Sequence, residues 1–265
     1  MRDFSADVTP VILTRDEEPN IGRTLAQLAW AREVVVIDSV SGDATVEIAK
    51  SFPNVRVVQR VFDDLASQWT FGIGEVKTQW ALTLDADYFV PEAFARELTT
   101  LDPPPDVAAY EARFVYAVNG RRLRASLYPP RAVLLRVGRA TFFMHGHSQQ
   151  VRVDGPVRQL REPLVHDDRK SFARFLSRQR RYMRDEAAKI RRGRDLNAPA
   201  RLRKLRVVAP LVIVPYVLFA KGVVLDGLPG LRYTFERFMA EVMLSWELTF
   251  GRRKNGSRAD VHERR

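Results

Sequence analysis

Two carboxylates one residue apart close the apolar run Trp80-Ala81-Leu82-Thr83-Leu84-Asp85-Ala86-Asp87. Residues two apart on a strand share a face, so Asp85 and Asp87 can point the same way as the chain leaves a sheet. Oxygen ligands placed like this suit a hard divalent cation, which usually shares them with substrate phosphates. An Asp-x-Asp pair by itself also fits an ordinary turn. Two more polar clusters follow apolar, β-branched runs: Thr14-Arg15-Asp16-Glu17-Glu18 after Val8 to Leu13, and Asp38-Ser39-Val40-Ser41-Gly42-Asp43 after Val34 to Ile37. Three such clusters at three strand ends are far more specific than any one of them.

The elements that must position these residues alternate. Apolar runs at Val8 to Leu13, Val34 to Ile37, Val55 to Val58 and Trp80 to Leu84 are separated by segments of helical spacing. Those segments are Ile21-Leu25-Leu28 with Ala29, Val46-Ile48-Ala49, and Leu65 to Ile73. The alternation predicts an α/β fold with a doubly wound, mostly parallel sheet and right-handed crossovers. In such sheets ligands bind beyond the carboxyl ends of the strands, where the three polar clusters fall. From Val107 to Arg161 the pattern changes to strands and turns, with one strand over Ala108 to Val118, a turn at Asn119-Gly120, and strands at Ala132 to Arg136 and Val151 to Val153. An antiparallel or mixed half-sheet completing the same domain is expected. From Lys170 onward the chain reads as helical, with Phe172, Phe175, Leu176, Tyr182 and Met183 on one apolar stripe.

Charge divides the 265 residues in two, although the net value is +11. Up to Asp168 there are 19 Lys and Arg against 23 Asp and Glu; beyond it there are 24 against 9. The basic run from Arg169 to Arg206 feeds directly into apolar Val207 to Phe219, which suits an anionic membrane surface better than a nucleic-acid groove. Aromatic side chains there cluster with aliphatics instead of interleaving with the arginines, so no nucleic-acid partner is expected. Interrupted by Pro210 and Pro215, the apolar run is shorter than the roughly twenty residues a spanning helix needs. Trp246, Phe250 and the Tyr233 to Phe238 aromatics are candidates for an interface-seeking side of the last helix. Pattern and charge therefore divide the chain into an α/β domain over 1–168, a helical membrane-associating extension over 169–252, and a disordered tail over 253–265. Absence of cysteine fits a reducing compartment, and the polar opening Met1 to Asp7 predicts no signal peptide.

The clusters together resemble the family-2 glycosyltransferases of GT-A (Rossmann-like) fold over nearly the whole chain. Thr14-Arg15-Asp16-Glu17-Glu18-Pro19-Asn20-Ile21 is similar to that family's Thr-x-Asn-Glu-Glu-x-Asn-Ile, with Asp16 where Asn is commoner. Val36 to Thr45 is similar to its Val-Asp-Ser-x-Ser-x-Asp-x-Thr, and Leu84-Asp85-Ala86-Asp87 to its Leu-Asp-Ala-Asp. Leu225-Asp226-Gly227-Leu228-Pro229-Gly230-Leu231 resembles the tail of bacterial members that build lipopolysaccharide core and other surface glycans.

The resemblance implies an inverting hexosyltransferase that moves a sugar from a UDP-sugar to a lipid-linked or glycolipid acceptor. It would use Mg or Mn, peripherally on the cytoplasmic, inner face of a bacterial plasma membrane. In 1–168, on this resemblance the nucleotide-sugar-binding and catalytic domain, Asp38 would accept the N3 hydrogen of uracil, a donor that cytosine lacks, with Thr14 and Glu17 lining the nucleoside pocket and Arg15 and Ser41 also binding substrate. Asp85 and Asp87 would hold the metal on the diphosphate, and His166 is a candidate third ligand. Asp43 either caps the following helix or touches ligand. An inverting transfer needs a general base, for which Asp167 and Asp168 are candidates and His147 the next. Asp168 also reads as the cap of the long helix after it. Arg169 and Lys170 either clamp the diphosphate or pair with the neighbouring aspartates. Gln179-Arg180-Arg181-Tyr182 is one residue short of the Gln-x-x-Arg-Trp of processive synthases, which implies single addition. Competing readings are an inactive glycan-binding or scaffold protein and a sugar-phosphate nucleotidyltransferase. The latter needs a glycine-rich phosphate loop near the N-terminus, and the sequence has none there.

Overall fold

β1 (Val8–Thr14), β2 (Val34–Asp38), β3 (Val55–Gln59) and β4 (Trp80–Asp85) form where the apolar runs predict them. In the computed structural model, which describes residues 3–145, 148–193, 202–205 and 208–251, they pair in parallel in the order β4-β1-β2-β3. Helices α1 (Ile21–Ala26), α2 (Thr45–Lys50) and α3 (Leu65–Gly74) make the crossovers. All five residues of β2 are buried, which explains a continuous Val-Val-Val-Ile run in place of alternation. A fourth helix, α4 (Glu92–Thr99), carries no signal in the expected pattern; it buries only Phe94 and Leu98.

Three further strands extend the sheet to the order β12-β6-β9-β4-β1-β2-β3: β6 (Ala109–Ala112), β9 (Arg131–Arg136) and β12 (Val157–Gln159). Only β9 runs antiparallel to its neighbours, β4 and β6, so the central sheet is mostly parallel. The single strand expected over Ala108 to Val118 is two. A register shift at Tyr110/Glu111 bends β6, and the Arg113 carbonyl accepts the Leu164 amide at 3.0 Å, drawing the chain into another sheet. That second sheet has the order β5-β13-β7-β8, from β5 (Tyr88–Phe89), β13 (Leu164–His166), β7 (Phe114–Val118) and β8 (Arg121–Arg122). β10 (Ala140–His145) and β11 (Ser148–Val153) form a separate hairpin and take no part in the central sheet.

The chain divides into two compact units, Met1–Lys170 and Ser171–Arg265. In the second, Ser171 caps α5 (Phe172–Arg192) by accepting the Arg174 amide, and Gly193 ends it in the left-handed conformation. Ser171 thus takes the capping role read for Asp168. Met183, Ala187 and Ile190, at i, i+4, i+7 spacing, pack on Leu244 and Leu248 of the Leu228–Phe250 helix. The expected stripe is only partly right, because Phe172 and Tyr182 are exposed. The apolar run forms a Val208–Pro215 helix that accommodates Pro210 near its start, gives way after Pro215 to a π-helical turn Tyr216–Ala220, and is followed by a 3-10 turn Val223–Asp226. Among the described residues no helix is long and apolar enough to cross a membrane. Val207, Arg206, residues 194–201 and the tail from 253 lie outside the described residues.

α3 lies so close to β1 and β2 that a Cβ on Gly72 would stand 2.9 Å from Val11 Cγ1 and 3.1 Å from Ile37 Cγ1. Replacing Gly72 with Val should therefore lower unfolding free energy by about 1–3 kcal/mol, the usual cost of overpacking. Denaturant unfolding measures this, and an unchanged midpoint would mean the α3 layer is loose.

Candidate active site

At the carboxyl end of β2, Asp38 is fully buried beside Thr14, its register partner on β1. Its Oδ1 accepts the hydroxyls of Thr14 (3.0 Å) and Ser41, and its Oδ2 accepts the Ser41 amide (3.0 Å) and the exposed Gln59 side-chain amide (3.2 Å). A carboxylate offers about four such positions, and all four are taken by the protein. The loops after β1 and β2 are laced together around it. Ser41 Oγ takes the Asp16 amide, Asp16 Oδ1 takes the Gly42 amide, and Thr45 Oγ1 takes the Glu17 amide. Asp43 accepts from the amide and hydroxyl of Thr45, so it holds the start of α2. Arg15 is exposed and stands outside this network.

One strand over, β4 delivers Asp85 at its end and Asp87 in the following turn. Thr24 of α1 fixes that turn, its hydroxyl bonding the carbonyls of Ala86 (2.7 Å) and Tyr88 (2.8 Å). Asp87 Oδ2 lies 3.4 Å from Nε2 of His166. The imidazole sits among three tyrosines, with ring centroids 4.9 Å from Tyr116, 5.2 Å from Tyr128 and 5.7 Å from Tyr88. Tyr88 and Tyr128 share a 2.6 Å hydroxyl contact, and Tyr88 also bonds Asp85. Burial, then the charge of Asp87, raises the Asp85 carboxyl. Burial works against a charged His166, yet Asp87, Asp85 and Asp168 outweigh it and raise the imidazole above its usual value. Burial and then Asp87 also push Glu17 up to about 7, despite its ion pair with Lys170.

Asp167 and Asp168 leave β13 in different company. Asp167 is buried and held by Arg23 (3.0 Å), Arg169 (2.8 Å) and the Gly120 amide (3.2 Å). Asp168 is half-buried and accepts from Asn20 Nδ2 (3.2 Å) and the Lys170 amide (3.0 Å). Asn20, itself fully buried, also donates to Glu17 (2.9 Å) and accepts from Arg23 (2.9 Å) and the Arg169 amide (3.0 Å). The structure thus gathers Glu17, Asp85, Asp87, His166 and Asp168, places Asp38 with Thr14 and Ser41 alongside, and sets Arg169 against Asp167. His147 lies outside the described residues. Sequence reasoning missed Asn20, Arg23, Gln59 and the tyrosine cage. Asn20 had a signal, since it stands inside the Thr14 to Ile21 stretch; the tyrosines, scattered over 88–128, had none.

Residues 9–158 match the family described as Glycosyl transferase family 2, more than half of the chain. The chain belongs to glycosyl transferase family 2. The succinoglycan biosynthesis protein ExoO of Rhizobium meliloti (strain 1021) is 31% identical over 130 residues, 46% of this chain and 37% of that protein. The match therefore spans little more than a third of the relative's length. Among solved structures, the mannosyltransferase PcManGT from Pyrobaculum calidifontis, in complex with GDP-Man and Mn2+, aligns over 94% of this chain and 88% of that one. With a TM-score of 0.50 and 16% identity, the likeness is one of fold. Glucosyl-3-phosphoglycerate synthase from Mycobacterium tuberculosis, solved with Mn2+ and UDP, overlaps 42% of this chain and 44% of that one at a TM-score of 0.34 and 18% identity. This family-2 glycosyltransferase accordingly has the GT-A α/β fold, with a helical C-terminal region.

A divalent cation fits the chemistry of the site. Asp85, Asp87 and Glu17 crowd negative charge into a buried corner, and His166 Nδ1 is buried with no hydrogen-bond partner among the described residues. No three His, Asp or Glu side chains among the described residues converge tightly enough to hold a metal unaided. A cation held by one or two carboxylates and completed by substrate oxygens, the usual arrangement for magnesium, does not require such a cluster. Without metal, the raised Glu17 pKa makes folding bind a proton that the unfolded chain releases near 4.5. The stability it contributes is complete below that pH and is lost as pH rises through about 7. In chelator, the wild type should lose roughly 1–3 kcal/mol more than Glu17→Gln over this window. Parallel pH profiles of the two proteins in denaturant titrations would contradict the assigned shift.

Proposed function

We propose that this glycosyltransferase moves a sugar from a UDP-sugar to a hydroxyl of a lipid-linked or lipopolysaccharide-type acceptor, with inversion and one addition at a time. The observation carrying this reading is the convergence of Glu17, Asp85, Asp87, His166 and Asp168 at adjoining strand ends, with buried Asp38 next door. Asp38 would accept an imide N–H by exchange for one of its four protein donors. The base would take the place of the Gln59 amide, the longest of the four bonds and the one from an exposed side chain. Guanine also offers N–H donors to a carboxylate, so GDP is the nucleotide to test against UDP.

Asp168 is the proposed base. Asp167 is held by two guanidiniums and an amide, whereas Asp168 is half-buried and close enough to His166 to act on its charge. As the acceptor oxygen attacks the anomeric carbon from the face opposite the diphosphate, its proton passes to Asp168. The anomeric C–O bond breaks and its electron pair leaves on the β-phosphate, releasing UDP. A divalent cation bound at Asp85, Asp87 and His166 would neutralise the charge growing on that leaving group. Asp87→Asn should cut turnover at least about a hundredfold and weaken metal-dependent UDP binding. Asp168→Asn should lose transfer while keeping UDP affinity. A UDP-release assay over a panel of nucleotide sugars, paired with calorimetry, reads both; normal transfer by either variant rejects its role.

Peripheral attachment to the inner face of a bacterial membrane completes the proposal. In the second unit Phe219, Leu225 and Leu228 are 70%, 68% and 80% exposed, with Leu211, Leu231 and Phe235 also exposed. So many large apolar side chains in one segment, next to a run rich in arginine, suit insertion below anionic headgroups. Tyr233 is buried and Phe238 half-buried, so of the aromatics expected at the interface Phe235, Trp246 and Phe250 are the exposed ones. The full chain should sediment with phosphatidylglycerol vesicles, weakly with phosphatidylcholine, and less in high salt. Leu225→Asp with Leu228→Asp should abolish sedimentation; equal partitioning into both vesicle types would reject the electrostatic part.

A further inference from the structure

The small sheet has two faces of opposite character, and only one belongs to the site above. Register places His166 opposite Tyr88 and Tyr116, all on the face that carries the imidazole cage. Val165 is paired with Phe89 and Val115, and Ala117 lies two residues beyond Val115, so these point to the other face. On that face is a cavity of about 360 Å³, walled by α1 through Arg23, Ala26 and Gln27 and by the strands through Phe89, Ala117 and Val165. Arg122, Arg169, Gly120 and Asp167 close its rim. The volume falls within the range of small-molecule pockets.

Its charge is unbalanced. Three guanidiniums face one carboxylate, and Asp167 neutralises Arg23 and Arg169 only between them. Arg122 makes no ion pair with any described residue, and Nε of Arg23 is a buried donor with no acceptor among the described residues. Arginine forks match the oxygens of phosphate, and an apolar floor beneath them suits a ligand that is anionic at one end only. We infer that this cavity is a second binding site, separate from the nucleotide-sugar site, for the phosphate or diphosphate end of a partly apolar molecule. The chemistry fits the phosphate head of a lipid carrier and also a free sugar phosphate.

Binding here needs no divalent cation, whereas diphosphate binding at Asp85 and Asp87 does, so the two sites separate in chelator. Calorimetry of the full chain with pyrophosphate in EDTA should detect binding. Arg122→Ala and Gln27→Glu should each weaken it about tenfold, the effect of losing one charge-assisted hydrogen bond or adding one like charge. Asp87→Asn should leave it unchanged in EDTA, even if the proposed donor chemistry is wrong. Circular dichroism checks that the variants fold; Arg122 is exposed on an edge strand, so its loss is mild. A second arm compares a short-chain prenyl phosphate with glucose 1-phosphate. Tighter binding of the prenyl compound assigns the lipid source, and tighter binding of the sugar phosphate assigns the soluble one. Absence of pyrophosphate binding in EDTA, or affinity unaltered in both Arg122→Ala and Gln27→Glu, would overturn the inference.

Discussion

One buried amide ties the site together. Asn20 uses both donors and both acceptor positions of its side chain, on Glu17 and Asp168, and on Arg23 and the Arg169 backbone. The loop after β1 is thereby fastened to the segment leaving β13, 148 residues further along the chain. Three of the four contacts go to charged groups, each typically worth about 1.5–3 kcal/mol, and an orphaned partner in this buried corner would cost a similar amount. A hydrophobic replacement would release Glu17, Asp168 and Arg23 together, so the geometry of the site depends on this residue more than on any single acid.

Such fastening is needed because the site is electrostatically uncomfortable. Asp87 raises the proton affinity of both Glu17 and Asp85, and the cations that answer are Lys170, Arg131 and His166. Loops free to relax would move these carboxylates apart into water. They are prevented by Thr24 on the two carbonyls flanking Asp87 and by the four donors on Asp38. Charge confined in this way would need no further reorganisation to meet a cation, which is how a preorganised site stabilises a charged transition state.

The parallel half of the fold was legible because β1, β2 and β4 are buried on both faces, and with the half-buried edge strand β3 each announces itself as an apolar run ending in polar residues. Strand ends in an open α/β sheet point to the ligand side, so Asp38, Asp85 and Asp87 could be placed from position alone. The other half was not legible in the same way. β8, β12 and β13 are two or three residues long, and the shift of the chain between sheets at Arg113 depends on a bulge and one distant carbonyl contact. Asp167 and Asp168 look equivalent in sequence, since nothing local says that Arg23, Gly120 and Arg169 close around the first. The cage about His166 is drawn from β5, β7 and the stretch before β9, a convergence with no sequence period.

Alternation along a strand sorts those last acids. Val165 and His166 face opposite sides of the small sheet, and at its exit the chain gives Asp167 to the arginines and Asp168 to the Asn20 network. Asp167 also donates its amide to the Asp87 carbonyl at 3.1 Å, so the arginine side and the turn that carries Asp87 are joined through one residue. Two faces of one four-stranded sheet, each with its own charge, thus meet at one backbone hydrogen bond.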